Sequence, residues 1–143
     1  MNKPIQFMAI VFGMAVVSMP TLAMAQNVAV TVISPGTLVA KGAGVDVSAQ
    51  VTCASSAFSS SATAQVSVSL TERVGGKATS GRAGGETFLP ITCNDSPQPF
   101  ELIVTSNNGR YAKGEAIAQA SAAICGEFIC QFQQQTILIQ LVK

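Results

Sequence analysis

Residues 45–53 read Val45-Asp46-Val47-Ser48-Ala49-Gln50-Val51-Thr52-Cys53, and this stretch decides the fold. Apolar residues occupy every odd position and polar residues every even one. Side chains of a β-strand point alternately to opposite faces, so the pattern predicts a strand with one buried and one solvated face. Cys53 is the last residue of the apolar face. We therefore expect the strand to lie in the core and to anchor a disulfide.

Similar short stretches follow one another along the chain, separated by turns rich in glycine, proline, serine and asparagine. Residues 75–85 hold five glycines and are predicted to be a mobile hairpin connection. The repeated strand-and-turn pattern predicts an all-β fold, an antiparallel β-sandwich of about seven or eight strands. Besides residues 45–53, the predicted strands are 28–33, 64–74, 86–93, 100–106, 112–124 and 136–142.

The first twenty-five residues have the pattern of an export signal. Lys3 precedes an apolar run at residues 5–17, and Ala23-Met24-Ala25 supplies the small residues that a signal peptidase requires. We expect cleavage between Ala25 and Gln26, which leaves residues 26–143 as one disulfide-bonded, secreted or periplasmic domain. An uncleaved membrane anchor is the alternative, but the run is shorter than the ~20 residues of a spanning helix. No later segment is long enough to span a membrane.

Charge and composition exclude several functions. Residues 26–143 carry seven basic and seven acidic side chains, so nothing favours binding to nucleic acid or to an anionic membrane. The chain contains no histidine and no Gly-x-Ser-x-Gly motif, which removes the common nucleophile–base arrangements. We expect neither an enzyme nor a bound cofactor.

The four cysteines of the chain are Cys53, Cys93, Cys125 and Cys130. An even number in an exported chain predicts two disulfides, and three pairings are possible. We favour Cys53–Cys93 with Cys125–Cys130, because the second pair is close enough to close a tight loop. Zinc is the competing interpretation. It lacks support because there is no close Cys-x-x-Cys pair and no histidine.

Asn107-Asn108-Gly109 is predicted to turn residues 100–106 back onto residues 112–124 as a hairpin. A three-residue turn with Gly109 in the left-handed conformation keeps one face apolar, with four alternate alanines from Ala116 to Ala122 on that face. This register sets Glu101 opposite Glu115. The pair could share a proton or hold calcium, but a solvated pair of like charges is the simpler interpretation.

Few aromatic side chains are available for contact with a ligand. Phe128 and Phe132 flank Cys130 beside a glutamine-rich run. They are predicted to cap one end of the sandwich, and the alternative is an exposed contact patch.

The chain resembles a family of small exported bacterial β-sandwich proteins of unknown function. In that family an aromatic residue tends to follow the second cysteine, and Phe100 takes that place here. The resemblance implies an immunoglobulin-like sandwich in which Cys53 and Cys93 are joined. It covers most of residues 26–143 and rests on Val51-Thr52-Cys53, residues 66–72, Cys93, Phe100-Glu101-Leu102, Gly114-Glu115-Ala116-Ile117-Ala118 and the apolar last strand.

Two functions fit these expectations. The first is a binding or accessory module of the cell envelope or extracellular space, whose partner is an unknown protein or surface ligand. The second is a pilin-like or coat-protein-like subunit that assembles by strand addition, with residues 28–33 as the donated strand.

Overall fold

A computed structural model describes residues 27–58 and 61–143 of the chain. Both sides of the predicted cleavage site, Ala25 and Gln26, lie outside the described residues. The eight strands of the described part are β1 (Val28–Val39), β2 (Gly44–Cys53), β3 (Ala62–Val74), β4 (Lys77–Gly84), β5 (Leu89–Ile91), β6 (Gln98–Ser106), β7 (Gly114–Cys125) and β8 (Cys130–Val142), with a 3-10 turn at Ala40–Gly42.

The strands form one hydrogen-bonded sheet in the order β4-β6-β2-β1-β8-β7-β3-β5. An additional pairing of β4 with β3 closes seven of them into a ring, and β5 lies beside the first residues of β3. The prediction of an all-β fold is confirmed. The hydrogen bonding does not divide into two separate sheets, however, and β1 runs parallel to β8 where Gly36 and Thr37 meet Leu141 and Val142.

The predicted organising strand is β2, and it lies in the middle of the sheet between β1 and β6. Val45, Val47, Ala49, Val51 and Cys53 are almost completely buried, whereas Asp46 is exposed. Alternation therefore places the apolar face of β2 in the core, as the period of two predicted. The predicted inner face of β7 is also present, since its alternate alanines from Ala116 to Ala122 are buried.

The glycine-rich stretch 75–85 is mostly a strand, so its prediction as a mobile connection was wrong. Gly75 and Gly76 both have positive φ and form a two-residue turn, which brings β4 back along β3. Such turns suit glycine pairs because they need left-handed backbone at both central positions. Thr79 and Gly81 of β4 are buried, which gives this strand an inner face despite its small residues.

The hairpin predicted at Asn107-Asn108-Gly109 does not form. Strand β6 pairs with β2 and β4, whereas β7 pairs with β3 and β8. Residues 107–113 cross from one side of the ring to the other, with Gly109 in the expected left-handed conformation. The turn signal was local and correct, but the choice of partner strand depends on burial across the whole ring.

Within the described residues, no helix is long and apolar enough to cross a membrane.

Candidate functional site

Both disulfides join the cysteines that the sequence favoured. Cys53 bonds Cys93 across a Cα–Cα distance of 4.9 Å, and both side chains are buried. Cys125 bonds Cys130 across 4.0 Å and closes the β7–β8 loop. No cysteine among the described residues is free, and the same residues contain no cluster of groups suited to a metal ion.

The carboxylate pair predicted from the hairpin is not formed. Glu101 lies opposite Ser48 of β2, and Glu115 lies opposite Gln140 of β8. The two residues stand on strands that do not pair, because β6 and β7 belong to different parts of the ring. A shared proton or a calcium ion between them therefore has no structural basis.

The two phenylalanines beside Cys130 do not cap the core. Phe128 is 88 % exposed and Phe132 is 64 % exposed. The end of the core near these residues is covered instead by Phe58, which is buried against Gly126. The alternative interpretation, an exposed contact surface, is the one that matches their positions.

A polar groove of about 280 Å³ lies on the outer face of the ring, where β4, β3, β7 and β8 run side by side. Alternation places these side chains outside, opposite the buried Val66, Val68 and Leu70 of β3. We call it the outer groove. The outer groove is lined by Ser67, Ser69, Arg82, Gln119, Ser121, Phe132 and Gln134.

The strand register brings the polar groups of the outer groove together. Ser67 lies opposite Ser121, and Ser69 lies between Arg82 and Gln119. The hydroxyls of Ser67 and Ser121 are 2.7 Å apart and share a hydrogen bond. Ser67 also accepts a hydrogen bond of 3.2 Å from Nη2 of Arg82. Ser67 is consequently 6 % exposed although it points away from the core.

Among the described residues, Arg82 is the one charged residue that lines the outer groove. In the part of the chain that the structure describes, no carboxylate pairs with its guanidinium. The side chain of Arg82 is exposed, and its hydrogen bond to the hydroxyl of Ser67 positions the guanidinium. The groove therefore offers a positioned cation among hydroxyl and amide groups, with the exposed Phe132 ring beside them.

No family model matches the chain, and no curated protein matches it. A search of solved structures found a similarity to the crystal structure of AggA, the major subunit of aggregative adherence fimbriae type I of Escherichia coli. The two chains are 17 % identical, and the match covers 80 % of this chain and 92 % of that chain with a TM-score of 0.40.

Sequence reasoning found only part of the outer groove. The polar face of Ser67 and Ser69 was visible in the alternation of β3. Arg82 was missed because residues 75–85 were interpreted as a loop. The signal that would have placed it is the Gly75-Gly76 pair, which is typical of a tight hairpin turn between two strands.

A second concavity, of about 640 Å³, opens at the end of the ring where β1 and β8 end and β7 begins. We call it the lysine pocket. Tyr111 is 3 % exposed and Leu38 is half-buried, whereas the lysines are exposed. The lysine pocket is lined by Leu38, Gly42, Tyr111, Ala112 and the three lysines Lys41, Lys113 and Lys143.

A buried carboxylate lies behind the lysine pocket. Glu72 is 4 % exposed, and its Oε2 accepts a hydrogen bond of 2.8 Å from the backbone N–H of Ala112. Burial and, to a lesser extent, the negative charge of Glu72 together raise the pKa of Tyr111 to about 12. The phenol is therefore neutral at physiological pH, and the positive charge at the mouth comes from the lysines.

Proposed function

We propose that this chain is an exported, non-enzymatic binding module, and that its outer groove binds a saccharide that carries a carboxylate. One observation supports this proposal above the others. Arg82 has no carboxylate partner among the described residues, and it is held by Ser67 in a groove of hydroxyl and amide groups.

The groups of the outer groove suit such a ligand. A guanidinium can bind both oxygens of a carboxylate through two parallel hydrogen bonds. Gln119 and Gln134 offer amide donors and acceptors for sugar hydroxyls. Phe132 presents an exposed ring on which the apolar face of a sugar can rest.

The location outside the cytoplasm is supported by the cysteines. Two disulfides within one chain fit an oxidising compartment, and the export pattern of residues 1–25 points the same way. We further propose that the ring is flattened as an immunoglobulin-like sandwich. Strands β1, β2 and β6 would form one layer, and β3, β7 and β8 the other, with the buried side chains between them.

The same proposal assigns no catalytic role to the chain. Glu101 and Glu115 lie on strands that do not pair, and the sequence supplies no histidine to activate a nucleophile. The outer groove contains one cation and neutral groups, which can hold a ligand but offer no general base.

The alternative function is a structural subunit that assembles by strand addition, and the fold makes strand donation energetically costly. The proposed donor segment 28–33 already pairs with β2, and Val28, Val30 and Val32 are buried. Donation to a neighbour would first require β1 to leave its own ring. The binding module therefore agrees better with the closed ring than strand addition does.

The proposal can be tested with two sugars that differ by one carboxylate, galacturonate and galactose. Backbone amide signals of the labelled protein would be followed by NMR during titration. We expect galacturonate to shift the signals of the outer groove and to bind at least about tenfold more tightly than galactose, a difference of about 1.4 kcal/mol. Arg82→Gln should remove this preference.

The matched control is Arg73→Gln, which removes an exposed arginine from the same strand pair outside the groove. It should leave the titration unchanged. Equal binding of the two sugars, or an unchanged preference in Arg82→Gln, would refute the proposal.

A further inference from the structure

The charges of the molecule are separated along the ring. Cationic side chains are concentrated at the end of the ring that holds the lysine pocket, in the strand termini and connecting loops at that end. Three residue pairs between neighbouring strands show that these termini lie at the same end of the ring. They are Gly44 with Thr105, Thr71 with Ile117, and Gly114 with Leu141. Six of the seven cations in the described residues lie there, namely Lys41, Arg73, Lys77, Arg110, Lys113 and Lys143, and the seventh, Arg82, stands opposite Thr105 near the same end.

The carboxylates near the lysine end do not cancel this charge. Asp46, Glu72 and Glu115 are the three acidic residues of that end, and Glu72 is buried. The opposite end carries Glu86, Asp95 and Glu127, and it has no cation among the described residues. The ring therefore has a positive and a negative end.

The negative end also carries the most exposed large apolar side chain of the described residues, Phe128. Phe128 stands in the β7–β8 loop, which the Cys125–Cys130 disulfide closes. The backbone N–H of Gly126 donates a hydrogen bond of 2.8 Å to the carbonyl of Ile129 and tightens the same loop. Glu127 precedes Phe128 and is exposed. The loop thus presents an apolar ring and a carboxylate on a preformed support, which lowers the entropy lost on binding.

The positive end offers a matching cavity. The lysine pocket has a floor made by Tyr111 and a wall that includes Leu38, and Lys41, Lys113 and Lys143 surround its mouth. At about 640 Å³ it has ample room for one phenyl ring. A carboxylate that entered the pocket beside the phenyl ring would lie near the lysines. Complementary charge of this kind speeds the encounter of two molecules and favours the correct relative orientation.

We propose that Phe128 of one copy inserts into the lysine pocket of a second copy, with Glu127 facing the lysines. The loop and the pocket lie at opposite ends of the ring, so one molecule cannot satisfy its own pocket. A contact between two different surfaces of identical chains is heterologous. It propagates head to tail into open strings unless rotation closes them into a ring of subunits. This assembly goes beyond ligand binding in the outer groove and does not depend on it.

Sedimentation velocity of the exported, oxidised protein tests the proposal over a range of protein and salt concentrations. We expect species larger than dimers as the protein concentration rises. The fraction of protein in these larger species should fall as the salt concentration rises from about 0.01 M to about 1 M, because the screening length decreases from about 30 Å to about 3 Å. Phe128→Ser should shift the protein to monomer. Phe132→Ser, which removes another exposed phenylalanine, should not.

A mixing experiment distinguishes a heterologous contact from a symmetric one. The Phe128→Ser variant keeps its pocket, and the double variant Lys113→Glu with Lys143→Glu keeps its loop. Each alone should be monomeric, while the mixture should form one-to-one dimers and nothing larger. Adding Glu127→Lys to the double variant should restore self-assembly, because the charges of loop and pocket are then exchanged. All of these side chains are exposed, so the variants should fold.

Several outcomes would overturn the proposal. One is a monomer up to about 1 mM, the limit at which even weak contacts are populated. Others are unchanged assembly of Phe128→Ser, or assembly that stops at a symmetric dimer. A monomer whose lysine pocket instead binds laurate, seen as shifts of the Lys113 and Lys143 amide signals, would show that the pocket serves an anionic amphiphile.

Discussion

Tyr111 offers a direct test of the structure because it is the only tyrosine and the chain has no tryptophan. The near-ultraviolet absorbance of tyrosinate therefore reports one residue. Tyr111 is 3 % exposed and lines the lysine pocket, and Glu72 is buried. Burial raises its pKa from 10.0 to about 12, and the charge of Glu72 contributes to the same shift.

The shift predicts a loss of stability at high pH. The unfolded chain ionises Tyr111 near pH 10, whereas the folded protein keeps the proton until about pH 12. Between these values the folded state binds more protons, so the free energy of unfolding falls as the pH rises. The loss is about 1.4 kcal/mol per pH unit, or about 2 to 3 kcal/mol by pH 12. Below pH 10 this contribution is fully present.

Absorbance titration of the folded protein and urea unfolding at a series of pH values measure the two quantities. The comparison is with Tyr111→Phe, whose stability should lack the contribution of this residue. Tyr111→Phe should cost little at neutral pH, since the hydroxyl is 3.5 Å from its nearest acceptor, the carbonyl of Leu70. Glu72→Gln should lower the pKa of Tyr111 only part of the way towards 10, because burial is the larger cause.

The reasoning would be refuted if Tyr111 of the folded protein ionised near pH 10. It would also be refuted if Glu72→Gln left the titration unchanged, because the buried carboxylate would then have no influence on the phenol. Equal pH dependence of the wild-type protein and Tyr111→Phe would contradict the link between ionisation and stability.

Two further predictions concern the framework. Replacing both cysteines of the Cys53–Cys93 pair by alanine should reduce the free energy of unfolding by about 4 kcal/mol. The same change at Cys125–Cys130 should reduce it by about 2 kcal/mol, because this disulfide closes a loop of 5 residues and the first closes one of 40. Urea unfolding measures both, and equal losses would contradict the loop-length argument. Gly81→Ala should destabilise by about 3 kcal/mol or more, since its Cβ would lie 2.0 Å from the carbonyl oxygen of Thr105. The control Gly75→Ala meets no atom within 4 Å and should cost only about 1 kcal/mol of backbone strain.

The two proposed surfaces use different parts of the ring and can be separated by mutation. Arg82 acts from the outer face of β4, whereas Phe128 stands in the β7–β8 loop. Arg82→Gln should lose the preference for galacturonate and still assemble. Phe128→Ser should lose assembly and keep that preference.

Local pattern was sufficient for several features of this protein. The alternation in residues 45–53 identified β2 and its buried face, because side-chain direction in a strand depends only on position along the chain. The alanines from Ala116 to Ala122 are buried as predicted, although the hairpin register from which that prediction was made does not form. The short separation of Cys125 and Cys130 favoured the pairing that is present, since a tight loop brings close cysteines together whatever the remainder of the chain does.

Tertiary structure alone decided which strands pair and therefore which side chains meet. Glu101 and Glu115 lie on either side of the predicted turn but stand apart, because β6 pairs with β2 and β4 whereas β7 pairs with β3 and β8. Arg82 shares a groove with Gln119, Phe132 and Gln134 only because β7 and β8 lie beside β3 in the ring. The outer groove and the lysine pocket join residues that are distant in sequence. Their positions follow from closure of the ring, which no local pattern specifies.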